Sequence, residues 1–226
     1  MKISVIIPAI NEQMEIAAAV QSAITAGAHE VVVADGGSSD DTVKAAEDVG
    51  ALIVMASPGR ALQQNAGATQ CDGDVLLFLH ADCRLPEAAA DNVAAALATS
   101  GGRVGGFFRQ RIDHSGRIYR WIESGNRQRA SRLGWAYGDQ AIFVRRTVFE
   151  EIGGFPEIAI MEDLFLMKRL KQCGSLVCVD EPIVVSARRW EERGTLRQTF
   201  RNWAMLIAAN LGVSPRVLAR FYPRAT

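Results

Sequence analysis

The chain has 226 residues, enough for one large domain or a domain with a C-terminal appendage. Its 25 basic and 25 acidic residues cancel, which argues against a generic nucleic-acid binder. The charge is uneven, however: 187–226 carries eight arginines against two acids, Glu191 and Glu192, and leaves the remainder acidic.

Ile3 to Ile7 is a short β-branched run closed by Pro8. Asn11-Glu12 then lead into a helix with apolar positions Ile16, Val20 and Ile24, ended by Gly27. Val31 to Ala34 reads as a second strand delivering Asp35, with Ser38 and Asp41 placed to cap the next helix. Leu52 to Met55 is a third strand, and Arg60 to Ala68 a helix after the Pro58-Gly59 break. The fourth strand, Val75 to Leu79, is an unbroken apolar run that stops at His80 and Asp82. Such a run suits a strand buried on both faces of a mainly parallel sheet, whose ligand crevice lies outside the strands' carboxyl ends. A helix from Pro86 to about Ala98 follows. This alternation predicts an open α/β sheet.

The second half is less regular. Gly105 to Phe108 begins an extended segment with charged positions, expected as an edge or antiparallel strand. A helix is expected from about Arg117 to Leu133, a short strand over Ala141 to Val144, and a helix from about Leu164 to Cys173 opened by Met161-Glu162-Asp163. Val177 to Val179 and Ile183 to Val185 are expected as two short strands, and a helical stretch runs from Thr195 to near Tyr222-Pro223. No linker separates two folding units, so 1–194 is expected as the main domain and 195–226 as a helical appendage. The four cysteines form no CxxC pair, which speaks against zinc and for reduced, packed thiols in a cytoplasmic protein. The first residues run straight into a strand without a signal-peptide pattern, and no stretch reaches the ~20 apolar residues of a membrane span.

Four acids, Glu12, Asp35, Asp82 and Asp163, fall at strand ends or element junctions, all expected at the carboxyl edge of the sheet. Asp82 is a hard oxygen ligand suited to Mg²⁺ or Mn²⁺ carrying substrate phosphates, or else a helix cap. Asp35 is placed to accept hydrogen bonds from a base or ribose, or else to cap its own turn. Neither GxGxxG nor GxxxxGK[ST] is present, so dinucleotide and P-loop folds are not supported.

Val5 to Glu12, Val33 to Asp40, the triplet His80-Ala81-Asp82 and Met161-Glu162-Asp163 resemble, in that order, the family 2 glycosyltransferases. Gly138 to Phe143 and Ser186 to Trp190 resemble most the short bacterial subgroup called transferase 2, rSAM/selenodomain-associated. The resemblance implies a GT-A fold, a mixed and mainly parallel sheet flanked by helices. It also implies inverting transfer of a sugar from a nucleotide-diphosphate donor with Mn²⁺ or Mg²⁺. By the same resemblance Pro8, Ala9, Asn11, Glu12 and Asp35 would line the nucleoside pocket, with Arg60 and Asn65 near the base or diphosphate. His80, Ala81 and Asp82 correspond to the family's DxD, Asp82 being the metal ligand and His80 standing where the first acid is usual. Asp163 matches the catalytic base and Glu162 an acceptor contact. Gly138, Asp139 and Gln140 would border the acceptor, and Arg188, Arg189 and Trp190 a closing loop.

Two other readings share these residues. A degenerate protein that holds a nucleotide sugar without turnover is favoured by His80 alone. A sugar nucleotidyltransferase would need a Gly-rich basic loop after the first strand, which Pro8 to Glu12 does not provide. Trp203, Leu206, Ile207 and Leu211 recur at helical spacing beside Arg197 and Arg201. Through 195–220 they suggest peripheral contact with the inner face of the membrane and a lipid-linked acceptor, or else plain packing on the domain.

Overall fold

The structure is a computed structural model and describes residues 1–99 and 101–221. The expected end of the last helix near Tyr222-Pro223 lies outside the described residues. Strands β1 (Ile3–Ala9), β2 (Glu30–Asp35), β3 (Leu52–Met55), β4 (Val75–Phe78), β5 (Cys83–Arg84), β6 (Arg103–Ile112), β7 (Ile142–Arg145) and β8 (Ser175–Val185) form one sheet in the order β3-β2-β1-β4-β7-β6-β8-β5. The first four strands pair in parallel, β7 runs antiparallel to β4 and β6, and β8 lies parallel to β6. The carboxyl ends of β1, β2, β4, β6 and β8 therefore share one edge with the amino end of β7.

The helices are α1 (Ile16–Thr25), α2 (Thr42–Glu47), α3 (Arg60–Gln70), α4 (Ala89–Ala98), α5 (Arg117–Leu133), α6 (Arg146–Glu151), α7 (Glu162–Cys173), α8 (Arg188–Arg193), α9 (Thr195–Asn210) and the short α10 (Pro215–Leu218). Alternate residues of the central strands enter opposite cores, which is why their sequences are apolar throughout. Val5, Ile7 and Leu77 pack under α1 and α4, whereas Ile6, Leu76 and Phe78 pack under α3, α6 and α7. A third cluster joins the start of α7 to the C-terminal helices: Ile160, Met161 and Leu164 meet Met205, Leu206, Ala209 and Leu218.

Three sequence expectations change. The segment begun by Gly105 does pair antiparallel with β7, as one of its two expected forms, but it is not at the edge and it is buried, because β6 lies between β7 and β8. Its charged positions misled: Arg111 points outward and Arg103 reaches out to the Ala96 carbonyl, while Phe107, Phe108 and Ile112 are buried. Gly106 makes the tight fit possible, since a Cβ there would lie 2.1 Å from the Val177 carbonyl oxygen. The two strands expected around Val179 and Ile183 are one strand, β8. Its register slips between Phe108↔Val179 and Arg109↔Pro182, so exposed Asp180 and Glu181 bulge where Pro182 has no N–H to donate. Finally, neither Ser38 nor Asp41 caps α2. Ser38 Oγ is turned to Asp35, and Asp40 accepts the Thr42 N–H instead.

Candidate active site

The shared strand edge gathers nearly every polar residue singled out in the sequence. Pro8 and Ala9 end β1, Asp35 ends β2, and His80-Ala81-Asp82 turns the chain from β4 into β5. A 3₁₀ turn, Gly138–Gln140, precedes β7. Glu162 and Asp163 open α7, and Arg188, Arg189 and Trp190 form α8 just beyond β8. Among the described residues, the three non-glycine residues with positive φ are Asn11 (53°), Ala141 (43°) and Met161 (67°), and all border this edge. Such conformations cost roughly 1–3 kcal/mol each and persist where surrounding structure dictates them, commonly at functional sites.

His80 is enclosed against Gly138, where a Cβ would stand 2.2 Å from His80 Nε2. Burial, followed by the nearby charge of Arg60, pushes its pKa down to about 4, so the imidazole is neutral at pH 7. Asp82 is buried and takes a hydrogen bond of 3.0 Å from Arg189. Burial would raise its pKa, but Arg189 and its neighbours outweigh that and hold the carboxyl below its usual value. Arg188 reaches Glu12 at 3.2 Å, so α8 is tied down by two ion pairs. Burial raises the pKa of Glu12 against the pull of Arg188. Arg60, the first residue of α3, pairs with Glu162 at 2.8 Å, and burial raises Glu162 despite that partner.

Asp163 is held from two directions, accepting the Gly138 N–H at 2.8 Å on Oδ2 and the Leu164 N–H at 2.7 Å on Oδ1. Asp139 follows Gly138, and burial raises its pKa against the opposing charges of Arg129 and Arg189. Its Oδ2 accepts from Gln110 at 2.9 Å, and Asn126 in turn supports Gln110 at 2.7 Å. Gln140 accepts from Arg129 and donates to the Phe108 carbonyl, both at 3.3 Å.

Two candidates already hold hydrogen bonds within the protein. Asp35 accepts the N–H groups of Gly37 and Ser38 at 2.8 Å and the Ser38 hydroxyl, closing its own turn. Asn65 spends its amide on the Phe155 backbone, donating at 3.0 Å and accepting at 2.9 Å. Asn11 accepts the Ser39 N–H at 2.9 Å, so the loops after β1 and β2 are pinned together. Sequence reasoning missed Gln63, whose buried amide donates to Ala9 and Ala34 and staples those two strand ends. It also missed Gln110, Asn126 and Arg129, which lie on separate elements and form no motif.

Among the described residues no group of three His, Cys, Asp or Glu gathers to hold a metal. Asp82 with neutral His80 nevertheless suits a hard divalent ion that takes most of its oxygens from substrate phosphates and water. Arg189 now neutralises that carboxylate.

Residues 4–153 match the family described as Glycosyl transferase family 2. The chain belongs to this family. It is a glycosyltransferase with a GT-A fold. No curated protein matches the chain. Among solved structures, residues 1–349 of S. aureus TarS superpose with a TM-score of 0.66 at 17% identity, covering 95% of this chain and 66% of that one. The same protein in complex with UDP-GlcNAc gives 0.63 at 16%, over 82% and 58%. Glucosyl-3-phosphoglycerate synthase from Mycobacterium tuberculosis, in complex with Mn²⁺, UDP and glucosyl-3-phosphoglycerate, gives 0.63 at 20%, over 94% and 80%. This glycosyltransferase therefore spans just under two thirds of the TarS chain, and at such identities the likeness is one of fold.

Proposed function

We propose that this family 2 glycosyltransferase moves a sugar from a nucleotide-diphosphate donor, uridine diphosphate being the first choice, to an acceptor hydroxyl with inversion. The observation that carries the reading is one strand edge at which Asp82, two residues past His80, and Asp163 come together, the Gly138 turn that packs on His80 also donating its N–H to Asp163. UDP and UDP-GlcNAc in the structural neighbours supply the choice of nucleotide. The end motifs Gly138 to Phe143 and Ser186 to Trp190 favour the rSAM/selenodomain-associated subgroup.

In the proposed step the acceptor oxygen forms a bond to the anomeric carbon as the bond to the donor phosphate breaks. The electron pair leaves with the nucleoside diphosphate, and the acceptor proton passes to Asp163. The two backbone N–H groups on Asp163 fix its carboxylate in place. A divalent ion at Asp82, Mn²⁺ or Mg²⁺, would neutralise the departing diphosphate. Arg60 and Arg188, at the rim, add fixed positive charge for the same purpose. His80, neutral and buried, can exchange hydrogen bonds with a sugar hydroxyl without repelling the ion.

A thermal-shift series with UDP, UDP-glucose, UDP-GlcNAc and GDP, with and without Mn²⁺, tests the reading. A ligand at a hundred times its Kd adds about 2.7 kcal/mol, on the order of 5–10 °C for a chain of this size. Asp82→Ala is expected to lose the Mn²⁺-dependent part of the shift while melting within a few degrees of the parent. No nucleotide effect in either condition would overturn the proposal.

Peripheral membrane contact forms part of the proposal, with 195–226 as an appendage serving it and a lipid-linked acceptor as its purpose. Leu196, Phe200, Trp203, Ile207 and Leu211 follow one another at helical spacing and are all exposed, Leu211 to 80%. Leu206 turns inward, so the stripe expected from sequence divides between core and surface. No described helix is long and apolar enough to cross a membrane, which leaves the interface plane for this face.

A further inference from the structure

Glu162 and Asp163 are adjacent at the opening of α7, yet their carboxylates are directed to different parts of the edge. Asp163 Oδ2 accepts from Gly138, on the side where the acceptor is expected. Glu162 Oε1 instead meets Arg60 Nε at 2.8 Å, in the first turn of α3. That turn lies on the donor side, because Gln63 of the same helix donates to the carbonyls of Ala9 and Ala34 at the ends of β1 and β2. The Glu162 side chain is 3% exposed and that of Arg60 35%, so Arg60 is gripped from the buried side while part of it still reaches solvent.

Arg60 needs such a grip. It occupies the first position of α3, where the helix dipole repels a cation, and no acid in the first turn of α3 balances it. An arginine side chain also has much rotamer freedom to lose when it is held in one place. Both effects would send the guanidinium outward, away from the edge. Glu162 opposes them from the first turn of α7, where the dipole favours an acid. Enclosed as it is, its charge-assisted hydrogen bond to Arg60 is stronger and more directional than a solvated one. The direction in which Arg60 is held shows at His80, where burial is the largest influence and the Arg60 charge the next.

We propose that Glu162 is a positioning residue that acts through Arg60 on the donor diphosphate. The two adjacent acids then divide the reaction, Asp163 serving the acceptor and Glu162 the leaving group. The inference rests on the glycosyl-transfer reading, and it replaces the acceptor contact that the family resemblance implies for Glu162.

Calorimetric titrations with UDP and with uridine, both in Mn²⁺, test it. Methionine at 162 fills similar space without an oxygen for Arg60. Glu162→Met is expected to weaken UDP by roughly fivefold or more and leave uridine within about twofold, because uridine has no phosphate for Arg60 to meet. Unchanged uridine binding also shows that the pocket is folded. Glu162→Gln keeps an oxygen for Arg60 Nε and should recover most of the UDP affinity. In an Arg60→Ala background Glu162→Met should cost nothing further, since the residue through which it acts is gone. UDP affinity that is unchanged or tighter in Glu162→Met overturns the proposal. So does an equal loss of uridine, a Glu162→Gln variant as weak as Glu162→Met, or a further loss in the double variant. All these outcomes leave the donor reading standing, whereas a parent protein that binds no UDP removes that reading and this inference with it.

Discussion

Asp163 is the proposed base of the transfer, and its setting makes a clean test possible. Asparagine at 163 retains an oxygen for the Gly138 N–H, so the turn carrying Asp139 should stay in place. Asp163→Asn is therefore expected to bind nucleotide within a few fold of the parent while turnover falls by roughly 10²–10⁴, the usual contribution of a positioned base. Near-normal transfer in single-turnover assays would remove Asp163 from the role and leave Asp139 as the next carboxylate to examine. The position of Asp163 at the opening of a helix was legible in the sequence; its anchoring was not. Gly138 and Asp163 are 25 residues apart, and no periodicity links a turn glycine to a helix-opening acid. The same holds for Asp139, whose supports Gln110 and Asn126 come from β6 and α5 and look like ordinary surface amides in the sequence.

At the level of elements, the parallel half was readable because burial on both faces demands unbroken apolar runs, and β1, β2 and β4 supply them. The antiparallel half obeys no such rule. β8 is interrupted by its bulge, β5 has two residues, and α6 and α8 have six each, too short for a 3.6-residue period to show. In α9 the period was visible but its direction was not. Helical spacing marks Trp203, Ile207 and Leu211 as one face, yet only the fold shows that the neighbouring face is the buried one. The exposed stripe predicts that the protein sediments with phosphatidylglycerol vesicles at low salt and markedly less at high salt, because the arginine contribution is screened. Phe200→Glu with Ile207→Glu alters two residues 65% and 58% exposed, so the melting temperature should hold while sedimentation is lost. Equal sedimentation of that variant, or none by the parent at low salt, would return α9 to plain packing.

Across the whole molecule, α8 is where the arginine-rich C-terminal region closes on the acidic remainder. The ion pairs Arg188–Glu12 and Arg189–Asp82 join residues 176 and 107 positions apart. Both fall on carboxylates of the proposed donor site. Arg189 thus occupies the electrostatic place that a divalent ion on Asp82 would take, and the two cannot both neutralise the same oxygen. On the proposed metal role of Asp82, the placement of α8 and loading of the site are expected to be linked, and a double-mutant cycle over Asp82→Asn and Arg189→Gln measures the link. Arg189 keeps about a third of its side chain in solvent, which screens the pair, so a coupling of roughly 1 kcal/mol is expected in the free protein. With saturating UDP and Mn²⁺ the coupling in the parent background should fall towards zero, because the carboxylate has changed partner. Coupling that is the same with and without ligand would mean that Arg189 is a fixed brace for Asp82, and that α8 does not sense the donor.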